Sequence, residues 1–177
     1  MKRPIASVVL LGVVFGPFAP ILQAEISPEQ VRQAIGKGVD YLKRQQRRTD
    51  GSWPDFPGYT GGVPALCTLA LLNAGVEPDD EHAQLALNRL RKLMPDTTYA
   101  VALQTMVFCS AEPKKDLLLI RRNVKWLESK QIKTGPTKGA WSYPGRGGRG
   151  DNSNSQFALL ALHEAERAGV QVSGQTW

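Results

Sequence analysis

The sequence is poor in the residues that build metal centres and disulfide scaffolds. Its 177 residues include two cysteines and two histidines, which excludes a zinc site with four cysteine ligands and a small domain held by several disulfides. Aromatic residues make up only 7%, so we expect no stacking surface for single-stranded nucleic acid and no nucleic-acid partner. Apolar residues are plentiful at 42%, which is enough for a packed core and argues against disorder.

The first 24 residues have the order of a secretory signal peptide. Lys2 and Arg3 form a short basic start, residues 5–22 are apolar, and Ala24 stands at the expected cleavage position. The alternative is an uncleaved membrane anchor, but two prolines interrupt the run and no basic cluster follows it. The pattern predicts an exported protein, periplasmic or secreted, with a mature domain over 25–177.

The remainder of the chain is predicted to be all-α. Hydrophobic periodicity favours six helices, at 28–46, 63–74, 81–94, 98–111, 116–131 and 155–168. The first, third and fifth are amphipathic, whereas the second, fourth and sixth are apolar on nearly every face. We therefore expect three helical hairpins in two layers, with apolar helices inside and amphipathic helices covering them. The hairpins must stack, either as a solenoid or as a curved ring.

One motif accompanies both the first and the fifth helix. It consists of a basic residue, an aromatic–aliphatic pair, a glutamine and a Gly-x-Trp. Its first copy is Lys37, Tyr41-Leu42, Gln46, Gly51 and Trp53, and its second is Arg122, Trp126-Leu127, Gln131, Gly139 and Trp141. We expect each glutamine amide to satisfy backbone groups at a neighbouring helix end, and each tryptophan to pack over it. The role of these residues is predicted to be structural.

This motif resembles the QW-type repeat of the terpene cyclase and protein prenyltransferase superfamily. Residues 151–162 are similar to the helix opening of squalene-cyclase repeats, although Asn123 stands where that family usually has Gly or Ala. The resemblance implies an α/α toroid, in which inner helices surround a central cavity. Three hairpins correspond to half of such a ring. We therefore expect a half ring that is the N-terminal portion of a longer protein, or one completed by a second half-toroid or by self-association.

The catalytic signatures of that superfamily are missing. Class II cyclases use an Asp-x-Asp-Asp motif, and the nearest match, at 77–80, has the composition of a helix start. The prenyltransferases bind zinc through Asp, Cys and His, but the cysteines and histidines here lack metal-ligand spacing: Cys67, Cys109, His82 and His163. We expect no metal and no cofactor, and no catalytic residue is assigned. His82 is interpreted as a solvated surface residue, and a disulfide between the cysteines stays open.

The most unusual stretch is the glycine- and arginine-rich loop at 144–150. It carries Arg146 and Arg149 and leads into a helix start with Asn152 and Ser153. Free backbone N–H groups and two guanidinium groups could hold an anion such as a diphosphate. These four residues are the candidate ligand-binding set, and the alternative is a flexible, solvated loop.

Three functions are compatible with these patterns. The favoured one is an exported, non-catalytic module that binds or scaffolds. The second is the N-terminal part of a terpene cyclase-like or carbohydrate-active α/α-barrel enzyme whose catalytic acids lie outside this chain. The third is a toroid that binds a lipid or cofactor along its apolar inner helices. An apolar or anionic small molecule is therefore a possible ligand.

Overall fold

The protein was analysed as a computed structural model that describes residues 26–145 and 148–177. The described residues contain six helices and no strands, which confirms the all-α prediction: α1 Pro28–Gln45, α2 Gly62–Asn73, α3 Glu81–Arg91, α4 Thr98–Ala111, α5 Leu117–Lys130 and α6 Asn152–Arg167. The predicted signal segment and Arg146 lie outside the described residues. Within the described part, no helix combines the length and the apolarity that crossing a membrane requires.

Side-chain caps fix the starts of three of the six described helices, α1, α3 and α6. Ser27 caps α1 in a capping box, because its Oγ accepts from Gln30 N at 3.1 Å while Gln30 Oε1 accepts from Ser27 N at 2.8 Å. Asp80 caps α3 by accepting from His82 N at 2.9 Å. The acidic stretch at 77–80 is thus a helix start, as its composition predicted.

Two helix boundaries differ from the prediction by three residues, and the others differ by one residue at most. The third helix ends at Arg91, because the chain tightens into i→i+3 bonds such as Leu93 N to Leu90 O at 3.0 Å and because Pro95 disfavours helical backbone before it. The sixth helix begins three residues earlier than expected. Asp151 caps it there, with its carboxylate accepting from Asn154 N at 2.9 Å.

The helices are layered around α4. This helix packs against both α2 and α6, while α3 packs against α2 and α5 packs against α4 and α6. Every residue from Ala100 to Phe108 is buried, which explains why α4 is apolar on all sides. The main core therefore lies on α4, and a smaller one forms around Trp53, Leu71 and Ala86.

The two terminal helices are less well covered than the sequence suggests. The apolar stripe of α1 reaches the surface, with Val31 and Ile35 each 46% exposed, and no residue of α1 is buried. The sixth helix is not enclosed either, because it buries one face and leaves Leu159 and Leu160 exposed. The prediction that this helix is apolar on nearly every face was therefore wrong, because about half of its residues are polar.

Candidate functional site

The first motif forms a hydrogen-bonded clasp between α1 and α3. The Gln46 amide is buried and its Nε2 donates to Gly51 O at 3.0 Å and to His82 O at 2.9 Å. The indole Nε1 of Trp53, which is also buried, donates to Leu42 O at 2.9 Å, near the end of α1. The glutamine and the tryptophan therefore fix the loop after α1 to two helix ends.

The second motif repeats this clasp at the end of α5. Gln131 Nε2 donates to Gly139 O at 3.0 Å and to Thr176 O at 2.8 Å. Trp141 Nε1 donates to Leu127 O at 2.7 Å, and the Trp141 side chain is fully buried. The two copies of the motif thus share the bond from glutamine to the glycine carbonyl and the bond from tryptophan to the leucine carbonyl, and they differ in the second acceptor of the glutamine, His82 O in α3 or Thr176 O near the C-terminus.

His82 belongs to the first clasp. It is half-buried rather than solvated, and its Nδ1 lies 2.6 Å from Gln46 Oε1. An amide oxygen only accepts hydrogen bonds, so this contact requires the proton on Nδ1. The surface interpretation of His82 was therefore wrong, because the sequence does not show that α3 begins beside the end of α1.

The middle hairpin, formed by α3 and α4, lacks a Gly-x-Trp. Gln104 makes the hydrogen bond to the end of its first helix instead. This residue of α4 is buried, and its Nε2 donates to Leu90 O at 2.9 Å, near the end of α3. Its Oε1 accepts from Asn123 Nδ2 at 2.9 Å and from Arg122 Nη2 at 3.0 Å. Asn123, which departs from the usual motif, is thus the partner of a buried amide. A lone glutamine inside an apolar helix is the sequence signal that could have revealed it.

A partly buried ion network ties α3 to the connection between α4 and α5. Arg91 Nη2 lies 2.6 Å from Glu112 Oε2, and Arg91 Nε lies 2.8 Å from Asp116 Oδ1. Asp116 is buried. Hydrogen bonding from the Arg91 guanidinium lowers the pKa of Glu112 to about 2. The three charged groups pair with one another, so we interpret the network as structural.

The candidate anion-binding residues lie around the start of α6. Arg149 and Asn152 are exposed, whereas Ser153 Oγ donates to Asp151 Oδ1 at 2.6 Å. The Asp151 carboxylate also caps the helix, so a negative charge already stands at this N-terminus. Anion binding by Arg149, Asn152 and Ser153 stays a prediction, and Arg146 lies outside the described residues.

In the described part of the chain, the thiols and the acidic side chains form neither a disulfide nor a metal-ligand group. Cys67 and Cys109 are free, which answers the question of a disulfide. Burial raises the pKa of Cys67 to about 11 and that of Cys109 to about 12, so both are protonated thiols at neutral pH. Across 26–145 and 148–177, no three His, Cys, Asp or Glu side chains are grouped so that they could hold a metal ion.

A mainly apolar depression lies along the open face of α6. We call the residues that form it the α6 flank: Gln156, Leu159, Leu160 and His163. Its volume is about 710 Å³, and Trp177 closes one side. Leu160 is 45% exposed and Trp177 is 56% exposed, with Trp177 Nε1 donating to Glu166 Oε1 at 3.2 Å. Sequence reasoning identified neither the flank nor Trp177 as a site.

Comparisons with known proteins identify no relative. No family model, no curated protein and no solved structure matches the chain. The function therefore has to follow from the residues described above, of which the two clasps and the α6 flank are the most distinctive.

Proposed function

We propose that this chain is an exported, non-catalytic α/α repeat module of the terpene cyclase and prenyltransferase type. The support is the repetition of one clasp, in which Gln46 with Trp53 and Gln131 with Trp141 make equivalent bonds at the ends of α1 and α5. Repeats of this kind bury their apolar faces by stacking on a neighbour. In this proposal the helices form half of a toroid, and export follows from the pattern of residues 1–24.

The observation that carries the proposal is the uncovered α6 flank. The equivalent helix α4 lies between two neighbours and is buried from Ala100 to Phe108. The sixth helix has an inner neighbour on one side only, and its second side exposes Leu159 and Leu160. Neighbouring exposed apolar side chains on a helix that lacks a second inner neighbour form a candidate interaction surface. The function of the module is then to dock another helical repeat.

We propose that the docked partner is a second copy of this chain. On the other side of α4, α2 also has a single inner neighbour among the described residues and exposes the residues that we call the α2 flank: Leu66 and Ala70. The α2 flank and the α6 flank carry no acidic or basic side chain except His163, so their burial desolvates little charge. Packing α6 of one copy on α2 of the next continues the inner layer with the same kind of helix pair that α2, α4 and α6 already form.

The test is the oligomeric mass of the full chain by sedimentation velocity over a range of concentrations. We expect the wild-type mass to rise with concentration, and Leu159→Glu with Leu160→Glu to hold the chain as a monomer. The matched control is Leu118→Glu on α5, because Leu118 is 76% exposed yet lies away from both flanks. This control should associate like the wild type. A wild-type chain that stays monomeric, or a control that abolishes association, contradicts the proposal.

Mixing variants identifies which surfaces meet. Leu66→Glu retains an intact α6 flank, and the Leu159→Glu, Leu160→Glu variant retains an intact α2 flank. If α6 of one copy meets α2 of another, each variant alone is a monomer and an equimolar mixture forms a dimer with one intact interface. A mixture that stays monomeric contradicts the pairing of α6 with α2.

A further inference from the structure

The helices α3 and α5 each cover the helix that precedes them in the chain. We call α1, α3 and α5 the outer helices and α2, α4 and α6 the inner helices. The third helix packs on α2 and the fifth packs mainly on α4. Each buries a row of side chains: Ala83, Ala86, Leu87 and Leu90 on α3, and Ile120, Asn123, Val124 and Leu127 on α5. No inner helix precedes α1 among the described residues, and α1 buries no side chain.

The two clasps align α1 with α5, because in each of them the tryptophan donates to the carbonyl of a leucine in the helix before it. The aligned apolar positions have the same spacing in both helices: Ile35 with Ile120, Val39 with Val124 and Leu42 with Leu127. The side chain of Ile120 is fully buried, whereas Ile35 is 46% exposed. Val39 and Leu42 are only half-buried. The face of α1 that corresponds to the buried face of α5 is therefore poorly covered within one copy of the chain.

The sixth helix is the inner helix that no outer helix follows among the described residues. Leu159 and Glu166 are two helical turns apart, so they share one face of α6, and both are exposed. Glu166 Oε1 accepts from Trp177 Nε1 at 3.2 Å, and the adjacent Thr176 O accepts from Gln131 Nε2 at the end of α5. This face therefore lies on the side of the outer helices. We call Leu159, Glu166 and Trp177 the α6 outer edge.

The charges of the two uncovered surfaces are complementary. The first helix carries more basic than acidic side chains, whereas α6 carries two glutamates against one arginine. Residues 112–116 join α4 to α5, and a connection this short joins antiparallel helices. An α1 helix placed on α6 in the same way brings Arg32, near the start of α1, towards Glu166, near the end of α6. Opposite charge at these surfaces favours contact between two copies of the chain.

We propose that α1 of one copy packs on the α6 outer edge of another copy, in the place that α5 takes on α4. The inference rests on the self-association proposed above and adds a second contact to each junction between copies. Where α6 meets α2 of the partner in the inner layer, α6 also meets α1 of the same partner in the outer layer. Val31 and Ile35, which are exposed within one copy, are buried at this contact, and this accounts for the apolar stripe on the surface of α1.

The first test is self-association of the full-chain Ile35→Glu variant, measured by sedimentation velocity. A charge buried at an apolar contact is unfavourable, so the dissociation constant should rise about tenfold or more. Gln33→Glu, which adds the same charge on a different face of α1, should leave the dissociation constant unchanged. If the wild type associates but Ile35→Glu associates equally well, or if the control weakens association as much, this inference is overturned and the proposed function stands. A wild type that stays monomeric overturns both.

Mixtures of variants then test whether α1 meets α6, at one concentration where no single variant associates. Ile35→Glu keeps an intact α6, and the Leu159→Glu, Leu160→Glu variant keeps intact α1 and α2, so their mixture should form a dimer with one intact junction. A mixture of Ile35→Glu with Leu66→Glu has no intact junction, because α1 and α2 lie on the same side of it, and should stay monomeric. A first mixture that stays monomeric, or a second that dimerises, overturns the contact between α1 and α6, while the pairing of α6 with α2 keeps its own test.

Discussion

Each clasp tryptophan satisfies a carbonyl that already accepts a bond. Leu42 O accepts from Gln46 N at 3.1 Å as well as from Trp53 Nε1 at 2.9 Å, and Leu127 O has the corresponding pair of donors. A carbonyl oxygen has two lone pairs, so both acceptor positions are in use. The indole ring then covers the helix end with apolar surface, which keeps water from competing for these bonds.

Truncating the second clasp should be severely destabilising. Trp141→Ala removes a fully buried ring and its bond to Leu127 O, and we expect it to lower the free energy of unfolding by about 3–5 kcal/mol. The measurement is urea denaturation followed by circular dichroism. Trp177→Ala is the matched control, because that indole is largely exposed, and it should change stability by about 0.5 kcal/mol or less. Equal effects at the two positions would contradict a structural role for Trp141.

The two motif glycines should respond differently to the same substitution. Both have positive φ, 71° at Gly51 and 90° at Gly139, but a Cβ at Gly51 would lie 2.3 Å from Leu85 O whereas one at Gly139 meets no atom within 4 Å. Gly139→Ala should therefore cost only the strain of left-handed backbone, about 1–2 kcal/mol. Gly51→Ala adds a steric clash with backbone, which raises the expected cost by about 1–3 kcal/mol.

Thermal unfolding of the two alanine variants side by side is sufficient to measure this difference. Each glycine serves as the control for the other, since the substitution and the sign of φ are the same. A melting temperature that falls equally in both variants would show that Leu85 O does not approach Gly51 as closely as described.

At the scale of the helices, the arrangement follows largely from periodicity and caps. The hydrophobic periodicity from residue 28 and the acidic stretch before α3 predicted two helix starts correctly, and α4 was predicted at its observed bounds. Gln104 was missed because its significance depends on tertiary neighbours. A glutamine in an apolar helix acquires its role only when Leu90 O and Asn123 lie beside it.

The exposed flanks could not be predicted for a similar reason. Leu159 and Leu160 lie in an apolar run, which indicates burial when the sequence is considered alone. Burial of that run requires a second inner neighbour for α6, and among the described residues only α4 lies beside it in the inner layer. Hydrophobic patterning therefore indicates which helix faces need to be covered. It does not indicate whether the same chain covers them.

The ion network between α3 and the α4–α5 connection should make stability depend on pH. Hydrogen bonding from Arg91 lowers the pKa of Glu112 from its ordinary 4.5 to about 2, so the unfolded chain binds this proton more readily than the folded chain. The contribution of Glu112 is therefore fully present above about pH 4.5 and is lost as the pH falls towards 2. Glu112→Gln should flatten the stability curve across that interval.

The measurement is the free energy of unfolding in urea at a series of pH values between neutrality and pH 2. Glu77→Gln, which removes an exposed carboxylate from the connection between α2 and α3, is the control for loss of one negative charge. If Glu112→Gln and the wild type lose stability in parallel over this interval, the pairing with Arg91 does not stabilise the fold.

At the scale of the whole molecule, burial declines from α4 towards both ends of the layer. The fourth helix is enclosed by α2, α5 and α6, whereas α1 contributes no buried residue and contacts mainly α2. Beyond Leu42 and Gln46, which belong to the first clasp, little fixes the beginning of α1 to the rest. Local stability should therefore be graded across the molecule and not uniform.

Native-state hydrogen exchange should resolve this gradient. We expect the amides of residues 101–108 in α4 to exchange only through global unfolding, because their helix is buried on all sides. The amides of residues 32–38 in α1 should exchange fastest among the helices, through local opening that breaks backbone bonds but exposes little apolar surface. Adding low urea should accelerate the α4 amides steeply and the α1 amides hardly at all, because only the first process exposes the core. Equal protection of the two segments in a monomeric sample would mean that α1 unfolds together with the core.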